Sequence, residues 1–118
     1  GEKKRAFATV TVSPIQGVIS GMNDAGLSVT MNEIRIRDAK TKPDFNWKGT
    51  PIMLAFRQVL EECGTVAEAE KFLPARERTS TCCMTVCDRT GGAVFELTPK
   101  GVEVRAAVNG VCCCTNHF

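Results

Sequence analysis

The stretch GVISGMNDAGLSVTMNEIRI, residues 17–36, decides the fold. Two apolar, β-prone runs, Val18-Ile19 and residues 27–31, flank the loop Asn23-Asp24-Ala25-Gly26. Asn and Asp start turns readily, and Gly26 can take the positive φ that closes a four-residue hairpin loop. Leu27, Val29 and Met31 alternate with Ser28, Thr30 and Asn32, the period of two expected of a strand with one buried face. Asn32 and Glu33 follow at the exit of that strand. A polar pair in this place either lines a cleft or simply meets solvent, and the residues alone favour the plainer of the two.

The flanking segments extend the pattern. Residues 6–12 (AFATVTV) alternate and predict a strand, which Ser13-Pro14 ends. Residues 38–48 (DAKTKPDFNWK) are polar with one Pro and predict a loop. Phe45 and Trp47 give that loop an apolar surface, either to cover a ligand cleft or to pin it to the core. Thr50-Pro51 predicts a helix start, with Thr as N-cap and Pro at the first helical position. Ile52, Ala55, Phe56, Val59, Leu60 and Cys63 then recur at helical spacing, and Gly64 stops the helix. Thr65-Val66-Ala67-Glu68 is a capping box opening a second helix over residues 66–73. From residue 79 the period returns to two. Strands are expected over 81–87, 93–97, 102–107 and 111–115, the last two joined by Asn109-Gly110, a strong type I′ hairpin signal. The fold class is α+β, antiparallel sheet with helices packed on one side.

A chain of 118 residues with 43% apolar content is one domain with a real core, and we take residues 1–118 as one unit. Fifteen basic against thirteen acidic residues leave +2, too little to argue for nucleic acid or an anionic membrane. No apolar run approaches the ~18 residues of a membrane helix. Residues 1–20 lack the charged-then-apolar order of a signal peptide. The seven cysteines fall in strand-like stretches and at a helix end. Successive strand residues face opposite ways, so Cys112-Cys113-Cys114 cannot all join one disulfide cluster. They are expected to be small core residues in a reducing, cytoplasmic compartment. A metal site could use Cys112, Cys114 and His117, but no C-x-x-C pair supports it, so neither metal nor cofactor is expected.

No complete catalytic set is visible. His117 is the single histidine, and no Ser or Cys has a base that the sequence can establish. Glu33, Glu61 and Glu96 are scattered. Glu96 sits in an otherwise apolar strand; it needs Arg57 or Arg105 if buried, and otherwise points to solvent. The chain opens in a strand-ready segment and stops directly after another, which suggests part of a longer protein.

Four segments, taken in order, resemble the acyltransferase and choloylglycine hydrolase type of N-terminal-nucleophile (Ntn) hydrolase. They are GMNDAGLSVTMNEI (21–34), GTPIMLAFRQVLEECGTVAEAEKFL (49–73), CDRTGGAVFELTP (87–99) and TNHF (115–118). This group includes the isopenicillin N acyltransferase family, conjugated bile acid hydrolases and penicillin V acylases. The resemblance implies an αββα fold, of which this chain is a partial domain. It also implies an N-terminal Cys that attacks a linear amide C–N bond of a small molecule and forms an acyl-enzyme, with its own α-amino group as base. By position, Asn116 matches an oxyanion-hole Asn, and Asn32 and Glu33 match the strand-exit pair that gives a further donor. Arg35, Phe45, Trp47 and His117 then lie on the substrate side. None of the seven cysteines occupies the nucleophile's position, and Gly1 is no nucleophile. A non-catalytic binding module on the same scaffold is the competing expectation. Partners are then a small amide or acyl substrate and, as an open alternative, a second copy of the chain, with no nucleic acid or membrane.

Overall fold

A computed structural model of the chain describes residues 4–34 and 44–116. Six strands form one antiparallel sheet in sequence order: β1 (Phe7–Val10), β2 (Ser20–Asn23), β3 (Ser28–Glu33), β4 (Cys82–Cys87), β5 (Gly92–Leu97) and β6 (Val102–Ala106). The helices α1 (Ile52–Glu62) and α2 (Val66–Phe72) enter between β3 and β4. β3 and β4 pair in register from Ser28 opposite Cys87 to Glu33 opposite Cys82. The two halves of the sheet therefore meet at the strand the hairpin delivers.

Register sorts the side chains into two faces. Val29, Val86 and Ala93 share one row; Met31, Met84 and Phe95 share the next. This face carries the core, with Phe56, Val59, Leu60 and Cys63 of the α1 stripe and Ala69 and Leu73 of the second helical segment packed on it. Its fully buried side chains are almost all apolar, each contributing roughly 1.5–3 kcal/mol by leaving water. The opposite face carries Asn32, Cys83 and Glu96 in one row and Thr30, Thr85, Val94 and Arg105 in another.

Asn23 fastens the hairpin to α1. Its Oδ1 accepts from the N–H groups of Ala25 (3.1 Å) and Leu27 (3.0 Å). Its Nδ2 donates to the carbonyls of Leu60 (2.9 Å) and Cys63 (2.6 Å) at the end of α1. All four capacities of the amide are used, with the side chain buried. Gly26 closes the loop at φ +86°.

Two sequence expectations are corrected. Thr50 does not cap α1: its backbone pairs with Arg78, and Pro51 holds the N-cap position with no side-chain bond. Pro51 has ψ 131°, an extended value that places the helix start one residue later. The strand expected over 111–115 also does not form. Asn109 (φ 52°) and Gly110 (φ 77°) make the turn, and Val108 and Val111 exchange backbone bonds of 2.9 and 3.0 Å. The chain then leaves the sheet edge, and residues 112–116 run as a strap along the outer face. The capping box forms in altered shape. Thr65 Oγ1 accepts from the Glu68 N–H at 3.1 Å, while Glu68 reaches past the cap to the Gly64 N–H at 2.6 Å.

Candidate active site at the β3 exit

The strap returns the C-terminal end of the chain to the exit of β3. Asn32 Nδ2 donates to the Cys114 carbonyl at 3.3 Å, and Asn116 Nδ2 donates to the Glu33 carbonyl at 2.8 Å. Residues more than eighty positions apart in sequence thus converge. Alternation puts the side chains of Asn32 and Glu33 on opposite faces, so they do not line one wall together. Asn32 faces the strap. Glu33 faces the helix side, where it borders a cleft of about 610 Å³ walled chiefly by Met31, Ile34, Phe45, Ile52 and Met53.

Phe45 is a wall of this cleft, whereas Trp47 is not. Trp47 is 88% exposed and packs edge-on against Phe45, ring centroids 4.6 Å apart at 62°. Arg35 and His117 lie outside the described residues.

Two of the scattered carboxylates, Glu96 and Glu61, resolve into structural pairs. Arg105, not Arg57, meets Glu96, Nε to Oε1 at 2.7 Å on the outer face. Arg57 is taken by Glu61, 2.7 Å away and one helical turn on, which Lys4 also contacts. The Lys4 bond chiefly holds the buried Glu61 carboxyl below its usual range, against the opposing effect of burial and with help from Arg57. Arg78, which sequence reasoning passed over, is fully buried and has no carboxylate partner among the described residues. It donates instead to the carbonyls of Leu73, Arg76, Thr98 and Gly101 at 2.7 to 3.0 Å. A lone Arg between polar residues gives no sequence signal of such a role.

The three buried thiols are set against nucleophilic use. Burial pushes Cys63 up to about 11 and Cys82 up to about 12, and burial with Cys114 beside it pushes Cys83 up to about 12. A nucleophilic cysteine needs the opposite, a thiolate favoured by nearby positive charge. The thiols are also not uniformly core residues. Cys63, Cys82 and Cys83 are buried, Cys87, Cys112 and Cys114 are half-buried, and Cys113 is exposed. Among the described residues no cluster of His, Cys, Asp or Glu could hold a metal ion.

An antiparallel sheet with helices packed on one face is an Ntn-hydrolase-like arrangement. The chain belongs to the acyl-coenzyme A:6-aminopenicillanic acid acyl-transferase family, whose family model matches residues 2–118. Among solved structures it is similar to two variants of the conjugated bile acid hydrolase from Clostridium perfringens. The first aligns with a TM-score of 0.66 at 20% identity over 90% of this chain and 37% of that one. The second aligns with a TM-score of 0.62 at 20% identity over 86% of this chain and 35% of that one. At this identity the likeness carries the fold alone. The chain spans little more than a third of the length of these enzymes. No curated protein matches the sequence. Among the described residues no helix is long and apolar enough to cross a membrane.

Proposed function

We propose that this chain forms the oxyanion side of a cysteine Ntn amidohydrolase or acyltransferase acting on linear amide C–N bonds of small molecules in the cytoplasm. The observation that carries the reading is the Asn116 to Glu33 bond of 2.8 Å, in a chain of this family. The Asn116 nitrogen has two hydrogens. Glu33 O accepts one and so fixes the plane of the amide, and the second is available to an incoming oxygen.

The reaction starts at a cysteine thiolate that the segment itself does not contribute. Its attack turns the amide carbonyl into a tetrahedral oxyanion. Asn116 Nδ2–H stabilises that charge, with a backbone N–H near the Asn32-Glu33 exit as second donor. Neutral, fixed donors suit a charge that exists only in the transition state. The nearby apolar wall of Met31, Ile34, Phe45 and Ile52 favours an apolar acyl group. Collapse expels the amine, which takes up the proton that the cysteine's α-amino group drew from the thiol, and leaves an acyl-enzyme. Water or an acceptor amine then completes hydrolysis or transfer. Arg35 and His117 are assigned to the substrate side by position in the family. Trp47, whose ring packs edge-on against Phe45, is assigned to the same side.

Asn116→Ala in the full-length enzyme tests the role. As an oxyanion donor its loss lowers kcat by about 10²–10³-fold, with KM and melting temperature little changed. A near-normal kcat with a lowered melting temperature assigns Asn116 to strap anchoring alone. The competing reading is a non-catalytic binding module on the same scaffold. It is supported if a full-length protein with a free N-terminal Cys binds small amides without turning them over.

A further inference from the structure

The outer face and the strap present thiols to one another in two places. On the strap, Cys112 and Cys114 turn toward the sheet. Cys113 between them is exposed, and its carbonyl accepts from Arg105 at 3.2 Å. On β4, Cys83 and Cys87 project from the same face, four residues apart. The Cys83 thiol lies beside Cys114, whose carbonyl is held by Asn32, the neighbour of Cys83 across the β3–β4 ladder, and the Cys87 thiol lies beside Cys112. Gly92 makes room for the second pair. It stands opposite Cys87 in β5, and a Cβ there would come within 2.8 Å of Cys87 Sγ and 3.6 Å of Cys112 Sγ. Both sulfurs therefore sit over the one residue of β5 that has no side chain. All seven cysteines are free.

We infer that the strap is a redox-closable clasp, in which Cys87 with Cys112 and Cys83 with Cys114 are two sites of disulfide modification. The pairing follows from facing positions on β4 and the strap, and a disulfide needs such placement. The oxidant is a small-molecule disulfide of the glutathione class. The strap thiol of a pair, Cys112 or Cys114, loses its proton to solvent, attacks one sulfur of that disulfide, forms a mixed disulfide and releases one small thiolate. The partner thiol, losing its proton to solvent, attacks the protein-side sulfur and releases the second. Per bond, two protein thiols and one small disulfide become one protein disulfide and two small thiols. Cys87, Cys112 and Cys114 are half-buried, so each pair has at least one sulfur open to the reagent. In a reducing compartment such bonds are transient and regulatory. Closing the clasp ties residues 112–114 to β4 whether or not Asn116 acts on substrate.

The test is titration of the full-length chain with oxidised glutathione, followed by peptide mapping without reductant. The expected products are monomers with Cys87 linked to Cys112 and Cys83 linked to Cys114, both reversed by dithiothreitol. Their melting temperature rises by roughly 5 °C or more, because the links constrain the unfolded chain. Cys87→Ser removes the first link and leaves the second. If that variant fails to fold, Cys112→Ser on the half-exposed strap makes the same cut. Adducts or intermolecular dimers through Cys113 alone, with the four paired thiols still open to alkylation, overturn the inference. A linked protein that melts below its reduced form overturns it too, since the bonds then form only by distorting the strap.

Discussion

The two faces of the sheet are closed by different means. The helix side is covered by sequence-local elements: α1 and the second helical segment, inserted between β3 and β4, bring an apolar stripe to an apolar face. The outer side is covered in part by a strap from the far end of the chain. It is held by polar contacts: Asn32 to Cys114, Asn116 to Glu33 and Arg105 to Cys113. Stability resides on the first face, and the candidate chemistry lies where the strap meets the strand exit. A face held by hydrogen bonds can position an amide donor without sealing it from a substrate. A face held by apolar packing cannot be opened without losing the fold.

The sharpest way to break this comparison is to cut one side chain on each face. Phe56 is fully buried in the helix-side core, and Phe56→Ala should cost about 3–5 kcal/mol in chemical denaturation. Thr85 stands on the outer face, half-buried, and Thr85→Ala should stay within about 0.5 kcal/mol. Equal losses at both positions would mean that the two faces carry stability alike.

A smaller effect is expected at Asn23, where the hairpin is tied to the helix layer. Asn23→Ala leaves the Leu60 and Cys63 carbonyls at the end of α1 and the Leu27 N–H without their partner. A loss of about 2–3 kcal/mol should follow, from buried polar groups left unpaired. Asn23→Asp should be no better, because a carboxylate cannot donate to those carbonyls. Wild-type stability in either variant would remove the side-chain tie between hairpin and α1.

Much of the helix side is legible in the sequence. Periods of 2 and 3.6 record which faces are apolar, so β3, α1, α2 and β4 to β6 emerge within a residue or two at their ends. Asn109-Gly110 marks its turn. The segment beyond that turn misleads, because VCCCT alternates as a strand does. Whether it pairs at the edge or crosses a face depends on what the face offers, and Cys83, Cys87 and Asn32 are remote in sequence. For the same reason Asn116 can be chosen through family resemblance, but its bond to Glu33 cannot be derived. Asn23 reads as a turn former only. Its second role depends on the end of α1, some forty residues away. The acceptors of Arg78 are likewise backbone carbonyls, which carry no sequence signature.

The last and smallest effect concerns the seam between the helix layer and the sheet. Asp88 begins the β4–β5 turn. Its Oδ1 accepts from the Thr90 hydroxyl (2.6 Å) and from the N–H groups of Thr90 (2.7 Å) and Gly91 (3.0 Å). Its Oδ2 accepts from the Val66 N–H at the start of α2, 2.8 Å away. These donors, the Thr90 hydroxyl foremost and the Val66 N–H next, hold the carboxyl at about 2, against an ordinary 3.8. The unfolded chain therefore binds this proton at a higher pH than the folded one. The stabilisation is fully present above the ordinary value and fades as pH falls through about 2. The site is open to solvent, so the change should be modest. Unfolding midpoints of wild type and Asp88→Asn should differ at pH 6 and converge toward pH 2, and the Asp88 carboxyl should titrate late by NMR. A gap that stays constant through the acid range would show that Asp88 holds the seam by shape and not by charge.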